Sequence, residues 1–531
     1  MAPPGPLVLC GVLLCAHALQ ASILSGQSGR LAVEDTANEE YAVPKDLLIG
    51  AGISALQTEG AWNEEGRGES AADHLLHEGK LFPGGPQHAH DQAADSYHRY
   101  KDDIAMAVAL KLKLFRFSFS WTRLLPTADV SKPNQQGVDH YHQLIDEIIK
   151  NGMTPMATLY HFDHPQILEA SFGGWVGEQM VDKFEEYARF VFQEYGKKVK
   201  HWVTINEPNV YCTYFVLAFS GDLTHQTTKE RFKCIRNNIL GHAKAYHAFK
   251  DLKLEGVVGF SAHTIHATPA STLPEDVYAA DAFNQFQSGS TLQPVVTGDY
   301  PQIVKDLGAE AVVPFTEDEQ ALIRNTADFM GLNVYYSMTA TYNASQSDDS
   351  ANVPIFAPGK LGLEFIPFVQ TKSNIKGDMT QLYSEVTPDA LESVMLWTWQ
   401  SYKVPIFITE NGFADVENLG LRDGRRAVYH SAYLRTLIKT MKAFDVPVLG
   451  YCAWSLVDAY EWSANFGRRF GLVHVDYEGG TLERSLKDSK DFWITMADTG
   501  VVPLVSSASG QCVSTLAVLV AAAASLYTQR L

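Results

Sequence analysis

Residues 112–161 read LKLFRFSFSWTRLLPTADVSKPNQQGVDHYHQLIDEIIKNGMTPMATLYH. The stretch opens on an apolar, aromatic run, LKLFRFSFSW from Leu112, and closes on a second, GMTPMATLYH from Gly152. Between them YHQLIDEIIKNG sets apolar residues at helical spacing, and Asn151-Gly152 supplies a helix stop. Strand, helix and strand in succession make one βα repeat.

The unit recurs in both directions. Similar runs begin at Leu47 (LLIGAGISA), Lys200 (KHWVTINEP), Val257 (VVGFSAHTI), Asp328 (DFMGLNVYY), Val404 (VPIFITENG) and Val448 (VLGYCAWSL). Helix-period segments such as MVDKFEEYARFVFQEYG lie between them. Eight β-runs alternating with helices predict an α/β fold, a single (β/α)8 TIM barrel with long strand-to-helix loops. A doubly wound open sheet is the alternative, but no GxGxxG follows the first run. No short internal repeat or Pro/Gly/Ser-rich linker divides the middle of the chain.

Reactive side chains collect where these runs end. Gln57, Arg116, His161, Asn206 and Glu207 stand at or near the ends of the first four, and Asn333, Tyr335, Glu410 and Trp454 at the ends of the last three. In a barrel all strand C-termini open on one face, where sites are built. Singly, each has an ordinary reading: His161 as a core histidine, Trp454 as packing, Asn-Glu-Pro as a capped turn. Arg116 is harder to dismiss, because a guanidinium inside an apolar run needs an anion, and Glu410 is the candidate. Two glutamates in TINEP (Glu207) and ITENG (Glu410), each just past a strand-like run, are the pair of carboxylates that glycosidic bond cleavage requires. His263 and His266 are better read as ordinary loop or core histidines than as specificity groups.

A formal charge of −19 over 531 residues argues against nucleic acid as a partner. Hydrophobic content of 46% suits a large core. Residues 7–15 form a short apolar run followed by Ala16-His17-Ala18, so residues 1–18 read as a cleaved signal peptide, although no Lys or Arg precedes the run. At the other end, Ser506-Ser507-Ala508-Ser509-Gly510 precedes an apolar tail over 513–527, too short to span a bilayer comfortably. This pattern in 498–531 resembles a GPI-attachment signal, with a soluble secreted chain or a C-terminal helix as alternatives. Secretion, or the extracellular face of the cell membrane, is therefore the expected location, with membrane contact only through the lipid anchor. Cys10, Cys15 and Cys512 fall in these removable segments. Cys212 and Cys234, in what reads as one loop region, are positioned to pair in an oxidising compartment, and Cys452 reads as a buried thiol. Asn343-Ala344-Ser345 is a glycosylation sequon in a polar stretch expected to be an exposed loop. No cysteine or histidine spacing marks a metal, and no cofactor is implied.

With these motifs in order, the chain resembles family-1 glycoside hydrolases, the β-glucosidase family that includes myrosinase-like thioglucosidases. The resemblance runs from about Asp46 to Trp493, within an expected domain of 39–497. It rests on QTEGAW at Gln57, YHRYKDDI at Tyr97, FRFSFSWTRLLP at Phe115, TLYHFDHPQ at Thr158, GGW at Gly173, TINEP, GLNVYY at Gly331, ITENG, and WSLVDAYEW at Trp454 leading to RFGLVHVD at Arg469.

The resemblance implies a retaining β-glycosidase with Glu207 as acid/base and Glu410 as nucleophile. It implies that Asn206 binds the sugar 2-hydroxyl and that Gln57, His161, Glu461 and Trp462 hold the other hydroxyls over Trp454. Arg116 and Tyr335 would orient Glu410, and Asn333 would join the substrate contacts. Physical chemistry agrees: attack needs an ionised Glu410, and that charge would raise the pKa of Glu207, keeping its proton available. Retention predicts carboxyl groups about 5–5.5 Å apart.

Departures from the family pattern occur at Ser70-Ala71-Ala72-Asp73, His161-Phe162-Asp163 and Asp458-Ala459-Tyr460-Glu461-Trp462. They predict a reshaped wall and entrance while leaving the catalytic pair intact. Less family-like segments at 210–234, 261–274 and 337–368 should shape the aglycone site. A carboxylate at Glu461 disfavours 6-phosphorylated sugars, and glucose leads, with galactose and fucose open. Glu207, where plant thioglucosidases carry Gln, favours O-glycosides without excluding thioglucosides. A transglycosidase would use the same site. An inactive cell-surface binding protein would be expected to lose Glu207 or Glu410, and both are present.

Overall fold

Eight parallel strands, hydrogen-bonded in sequence order, close into a barrel: β1 (Leu48–Gly52), β2 (Leu114–Ser118), β3 (Thr154–Tyr160), β4 (His201–Asn206), β5 (Val257–His263), β6 (Phe329–Asn333), β7 (Ile406–Asn411) and β8 (Val448–Trp454). All eight expected runs are strands of this barrel, and β8 pairs with β1, so the open-sheet alternative falls. The computed structural model describes residues 32–506 except 83, 221–227, 345–368, 374–382, 385 and 416–417. The expected leader, the tail beyond 506, Cys10, Cys15, Cys512 and much of the 337–368 segment lie outside the described residues.

Each strand is followed by a helix on the outside. These are α1 (Ser96–Ala109), α2 (Gln135–Lys150), α3 (Gln179–Tyr195), α4 (Thr228–Asp251), α5 (Glu317–Ile323), α6 (Asp389–Tyr402), α7 (Gly424–Phe444) and α8 (Lys490–Thr499). In α2 the buried positions Val138, Tyr141, Leu144, Ile145 and Ile148 recur every three or four residues, the stripe a helix needs to cover a sheet. The strands themselves are buried on both faces, which is why they read as nearly continuous apolar runs.

The floor of the barrel is a separate apolar plug of Leu114, Met156, Val203, Phe329, Phe407 and Cys452, all fully buried. Deleting one such ring, as in Phe407→Ala, costs about 3–5 kcal/mol, because the surrounding strands cannot collapse into the gap. Polar side chains replace this plug toward the strand C-termini, since alternation keeps Arg116 on the same face as Leu114.

Three additions decorate this frame. The two ends of the described chain, Ala32–Glu34 and Leu504–Ser506, pair antiparallel. A small sheet of His266–Pro269, Ser337–Tyr342 and Val369–Ser373 replaces part of what reads as loop in the 261–274 and 337–368 segments. The 210–234 segment is also largely helical rather than a loop, because Pro208–Ser220 and α4 occupy most of it. Cys212 and Cys234 therefore join two helices rather than pinning a loop, and they are disulfide-bonded. Asn343 directly follows the strand Ser337–Tyr342 and is half-buried, and the rest of its polar stretch from residue 345 lies outside the described residues. Among the described residues, no helix is long and apolar enough to cross a membrane.

Candidate active site

Two irregularities at the rim aim the glutamates. The β4–β5 register shifts between Val203 and Asn206, and β7 shifts against both neighbours between Ile408 and Asn411. A bulge inserts a residue and re-aims the side chains beyond it, a common device at barrel rims. In β7 it falls at Thr409 and Glu410, within the last residues of the strand. Glu207 itself takes φ of +45°, a left-handed conformation that costs a non-glycine residue about 1–3 kcal/mol. Pro208 then opens the next helix, whose first amides, Val210 N–H and Tyr211 N–H, donate to the Glu207 carbonyl. Gly412, after ITEN, has no room for a side chain: a Cβ would lie 1.9 Å from the Trp454 carbonyl oxygen.

The two carboxyls are held by different partners. Arg116 Nη1 donates to Glu410 Oε1 at 2.6 Å and to the Thr409 carbonyl at 3.0 Å, and Tyr335 Oη donates to Glu410 Oε2 at 2.7 Å. Glu207 Oε1 accepts from Asn333 Nδ2 at 2.8 Å. Both acids are buried. Burial, reinforced by the charge of Glu410, holds the Glu207 carboxyl well above the usual range, against the opposing pull of Asn333 and Arg116. Burial thus outranks the charge repulsion that the sequence suggested as the cause. It also leads in lifting the Tyr335 phenol well above its ordinary value, with Glu410 adding to it, so Tyr335 remains a donor.

Asn206 and Asn333 link the two sides. Arg116 Nη2 donates to Asn206 Oδ1 at 2.7 Å, and Asn333 Nδ2 donates to the same oxygen at 3.2 Å. The Asn206 amide lies 3.3 Å from His161 Nε2. Burial and the nearby Arg116 charge push His161 well below its usual pKa, leaving a neutral ring able to accept there. Asn333, expected among the sugar contacts, donates to Glu207 and Asn206.

Its other end is fixed by residues the strand-end reading missed. Thr409 Oγ1 and Ser261 Oγ donate to Asn333 Oδ1 at 2.6 and 2.9 Å. The acceptor-only Asn206 oxygen, fixed by Arg116, sets which way the amide points, and these hydroxyls donate to the end left over. Ser261 lies two residues past Gly259, and Thr409 immediately precedes Glu410, so both are small hydroxyls at strand C-termini. That pattern was visible in sequence, but the partner was not.

The remaining candidates are buried side chains with partners of their own. Gln57 lies buried in a short helix, Ala55–Thr58, where its amide donates to the Tyr460 carbonyl at 3.0 Å and its oxygen accepts from Ser54 at 2.7 Å. Trp454 Nε1 donates to Glu461 Oε1 at 3.2 Å, and the Trp454 ring stacks at 6.0 Å from His161. Burial lifts Glu461 to about 8. Trp462 packs edge-on and tilted against Phe215 and Phe162, giving an aromatic wall. His263 stacks 5.9 Å from Tyr335, and burial pushes it down to about 3; His266, beside Trp397, falls to about 4. Burial pushes the Cys452 thiol up to about 12 and keeps it inert.

The departures from the family pattern sort differently from expectation. Ala71 and Ala72 are fully buried in the first turn of a helix, Ala71–His77, whose start is a capping box of Ser70 and Asp73. That change belongs to the core, whereas Phe162 and Tyr460 do reach the wall beside Trp462.

The model of Glycosyl hydrolase family 1 matches residues 39–500. The chain belongs to this family. Myrosinase 1 of Brevicoryne brassicae is 33% identical over 87% of this chain and 99% of its own length. The cyanidin 3-O-glucoside 7-O-glucosyltransferase (acyl-glucose) of Delphinium grandiflorum is 32% identical over 85% of this family 1 chain and 89% of its own. Among solved structures, a rice β-glucosidase mutant in covalent complex with Glc superimposes with a TM-score of 0.78 at 30% identity, covering 86% of this chain and 99% of that one. The family 1 fold and the closed barrel described above are one and the same.

Proposed function

We propose that this family 1 hydrolase cleaves unphosphorylated β-D-glucosides from the non-reducing end with retention, Glu410 acting as nucleophile and Glu207 as acid/base. One observation carries the reading: two buried carboxyls share a hollow but have opposite support. Glu410 has a guanidinium and a phenol, which favour its anion; Glu207 has burial and a neighbouring anion, which favour its acid.

In the first step a Glu410 oxygen bonds to the anomeric carbon as the glycosidic C–O bond breaks, and the Glu207 proton passes to the leaving oxygen. Esterification neutralises Glu410 and removes its contribution to the raised pKa of Glu207. Glu207, now a carboxylate, takes a proton from water while the water oxygen attacks the anomeric carbon and releases Glu410. The covalent Glc complex of the rice relative supports such an intermediate. Asn206, Gln57, His161, Glu461 and Trp462 would hold the glycone over Trp454. Glu461 disfavours a 6-phosphate in either protonation state, as an anion by repulsion and as a neutral acid by supplying no countercharge.

A thioglucoside is the second reading, favoured by the name of the Brevicoryne brassicae relative, since a good leaving group needs little help from Glu207. Transfer of glucose to an acceptor uses the same intermediate and is the activity named for the Delphinium relative. The disulfide supports residence in an oxidising compartment, with secretion or an anchored cell-surface form as the proposal and Asn343 as its glycosylation site.

A panel of chromogenic β-glycosides and a glucosinolate, run beside Glu410→Gln, tests the assignment. Cleavage of β-glucosides lost in the variant is the expected result, and no cleavage by the wild type would end the proposal. Trapping with a 2-deoxy-2-fluoro glucoside should label Glu410; a label on another residue would refute its role.

A further inference from the structure

One residue of the ITENG segment takes no part in the reaction as assigned. Asn411, the last residue of β7, is fully buried, and its whole side chain is engaged elsewhere. Its Nδ2 donates to the Val334 carbonyl at 2.6 Å and to Tyr429 Oη at 2.8 Å, and its Oδ1 accepts from Tyr451 Oη at 2.6 Å. We propose that Asn411 is a positioning residue: through the backbone of Val334 and Tyr335 it holds the Tyr335 phenol against Glu410.

The role of each atom follows from its partner. A carbonyl only accepts, so the Asn411 atom facing Val334 is nitrogen and the opposite atom is oxygen. That oxygen cannot donate, so Tyr451 gives it the hydroxyl proton and is left to accept from His430, whose Nδ1 lies 2.8 Å away. Burial and the Arg426 charge push His430 well below its usual pKa, so its neutral ring carries one N–H, on Nδ1. Nε2 then buries a bare lone pair rather than an orphaned N–H. The donors run one way, from His430 on α7 through Tyr451 on β8 to Asn411 on β7 and on to Val334.

Val334 and Tyr335 lie between β6 and the strand Ser337–Tyr342. Their backbone is held from β7 and α7. Val334 N–H donates to the Glu410 carbonyl at 2.8 Å, and the Val334 carbonyl accepts from Asn411. The Tyr335 carbonyl lies 3.4 Å from Tyr429 Oη and 3.2 Å from Tyr433 Oη. Tyr429, having accepted from Asn411, has its own proton free for that carbonyl. Both residues are thus clipped to the strand that carries Glu410, and the Tyr335 phenol reaches back to it at 2.7 Å. A displacement of about 1 Å would carry that phenol out of hydrogen-bond reach.

Glu410 is faced by Arg116 from β2, by Tyr335 past β6 and by Glu207 past β4, while Cys452 on β8 and Glu461 beyond it feel its charge. Of these groups Asn411 holds only Tyr335. Loss of the brace therefore removes one of the two donors that favour the Glu410 anion, and the acidic limb of the kcat/KM profile moves to higher pH.

The test measures that profile for a β-glucoside, together with the rate at which an activated 2-deoxy-2-fluoro glucoside labels Glu410. Asn411→Ala and Tyr451→Phe are each examined in the wild type and in Tyr335→Phe. Asn411→Ala should label about 10–100-fold more slowly, since a misplaced attacking group costs rate steeply. Its kcat and kcat/KM should fall together, with the acidic limb shifted upward. Tyr451→Phe removes a single oxygen and should show the same pattern at smaller size, which decides the matter should Asn411→Ala not fold. In Tyr335→Phe neither substitution should have a further effect. Ile148→Ala, a cavity under α2 away from this network, should lower stability and leave both readouts at the wild-type value. Losses that add in full to Tyr335→Phe, or an unmoved limb with wild-type labelling, overturn the role of Asn411. That role rests on Glu410 as nucleophile, and the two fail apart. A wild type that is labelled elsewhere overturns both, whereas a wild type labelled at Glu410 beside unaffected variants overturns Asn411 alone.

Discussion

Asn333 donates to Glu207 across the barrel mouth at 2.8 Å, while its own carbonyl oxygen is clasped by Thr409 and Ser261. A neutral amide thus positions the acid/base candidate, and its nitrogen faces that way because Asn206 Oδ1, held as an acceptor by Arg116, takes its second N–H. Because this hydrogen bond favours the ionised carboxyl, it tempers the rise in pKa that burial and Glu410 impose.

Asn333→Ala should therefore move the alkaline limb of the kcat/KM profile to higher pH, since Glu207 would hold its proton more tightly. Rate at the optimum should fall about 10–100-fold as the acid loses its aim. Thr409→Val, which leaves Asn333 in place but unpinned, should give a smaller loss of the same kind. A limb that stays in place in Asn333→Ala would show that the contact is merely structural.

Arg116 is fully buried between Glu410 and Asn206. Arg116→Met strips a buried carboxylate of its charge partner and should cost about 3–5 kcal/mol in urea unfolding. Arg116→Lys keeps the charge but cannot fork to both acceptors, so it should recover much of the stability and little of the activity. Equal recovery of both would argue that charge alone matters.

Glu461 gives a pH dependence of stability. Its folded pKa, raised mainly by burial from 4.5 to about 8, means that the unfolded chain loses this proton first. Stability from the group is complete below the unfolded value and is lost as pH climbs from about 4.5 to about 8. Glu461→Gln lacks that slope, so its melting temperature should gain on the wild type between pH 5 and pH 8. Parallel melting curves across that range would contradict the raised pKa.

The Cys212–Cys234 bond closes a loop between residues 22 apart in sequence, from the helix Pro208–Ser220 that follows Glu207 to α4. Chain-entropy reasoning assigns such a cross-link about 3 kcal/mol. Cys234→Ser should show that loss in denaturant unfolding. It should also slow turnover, because Tyr211 and Phe215, beside Cys212, pack on the Phe162 wall of the pocket. Wild-type stability in the presence of a strong reductant would refute the first expectation.

Much of this protein was legible in its sequence. Eight β-runs with helical spacers dictated the barrel, because period-2 and period-3.6 apolar patterns are local properties of the chain. Glu207, Glu410 and Arg116 stood out because a charge at the end of, or inside, a buried strand has few uses. Arg116 and Glu410 are 294 residues apart, and only chemical need linked them before the fold did.

Other relationships belong to the tertiary structure alone. Which oxygen the Asn333 amide faces depends on inter-strand register across β5, β6 and β7, and bulges at the rim alter that register by one residue. That burial outranks Glu410 in raising Glu207 likewise depends on how closely the loops cover the barrel mouth. The sequence determined which residues could do chemistry and on which element each would stand. Closure of the barrel decided their partners, because hydrogen bonds and desolvation depend on distances in space that no local pattern encodes.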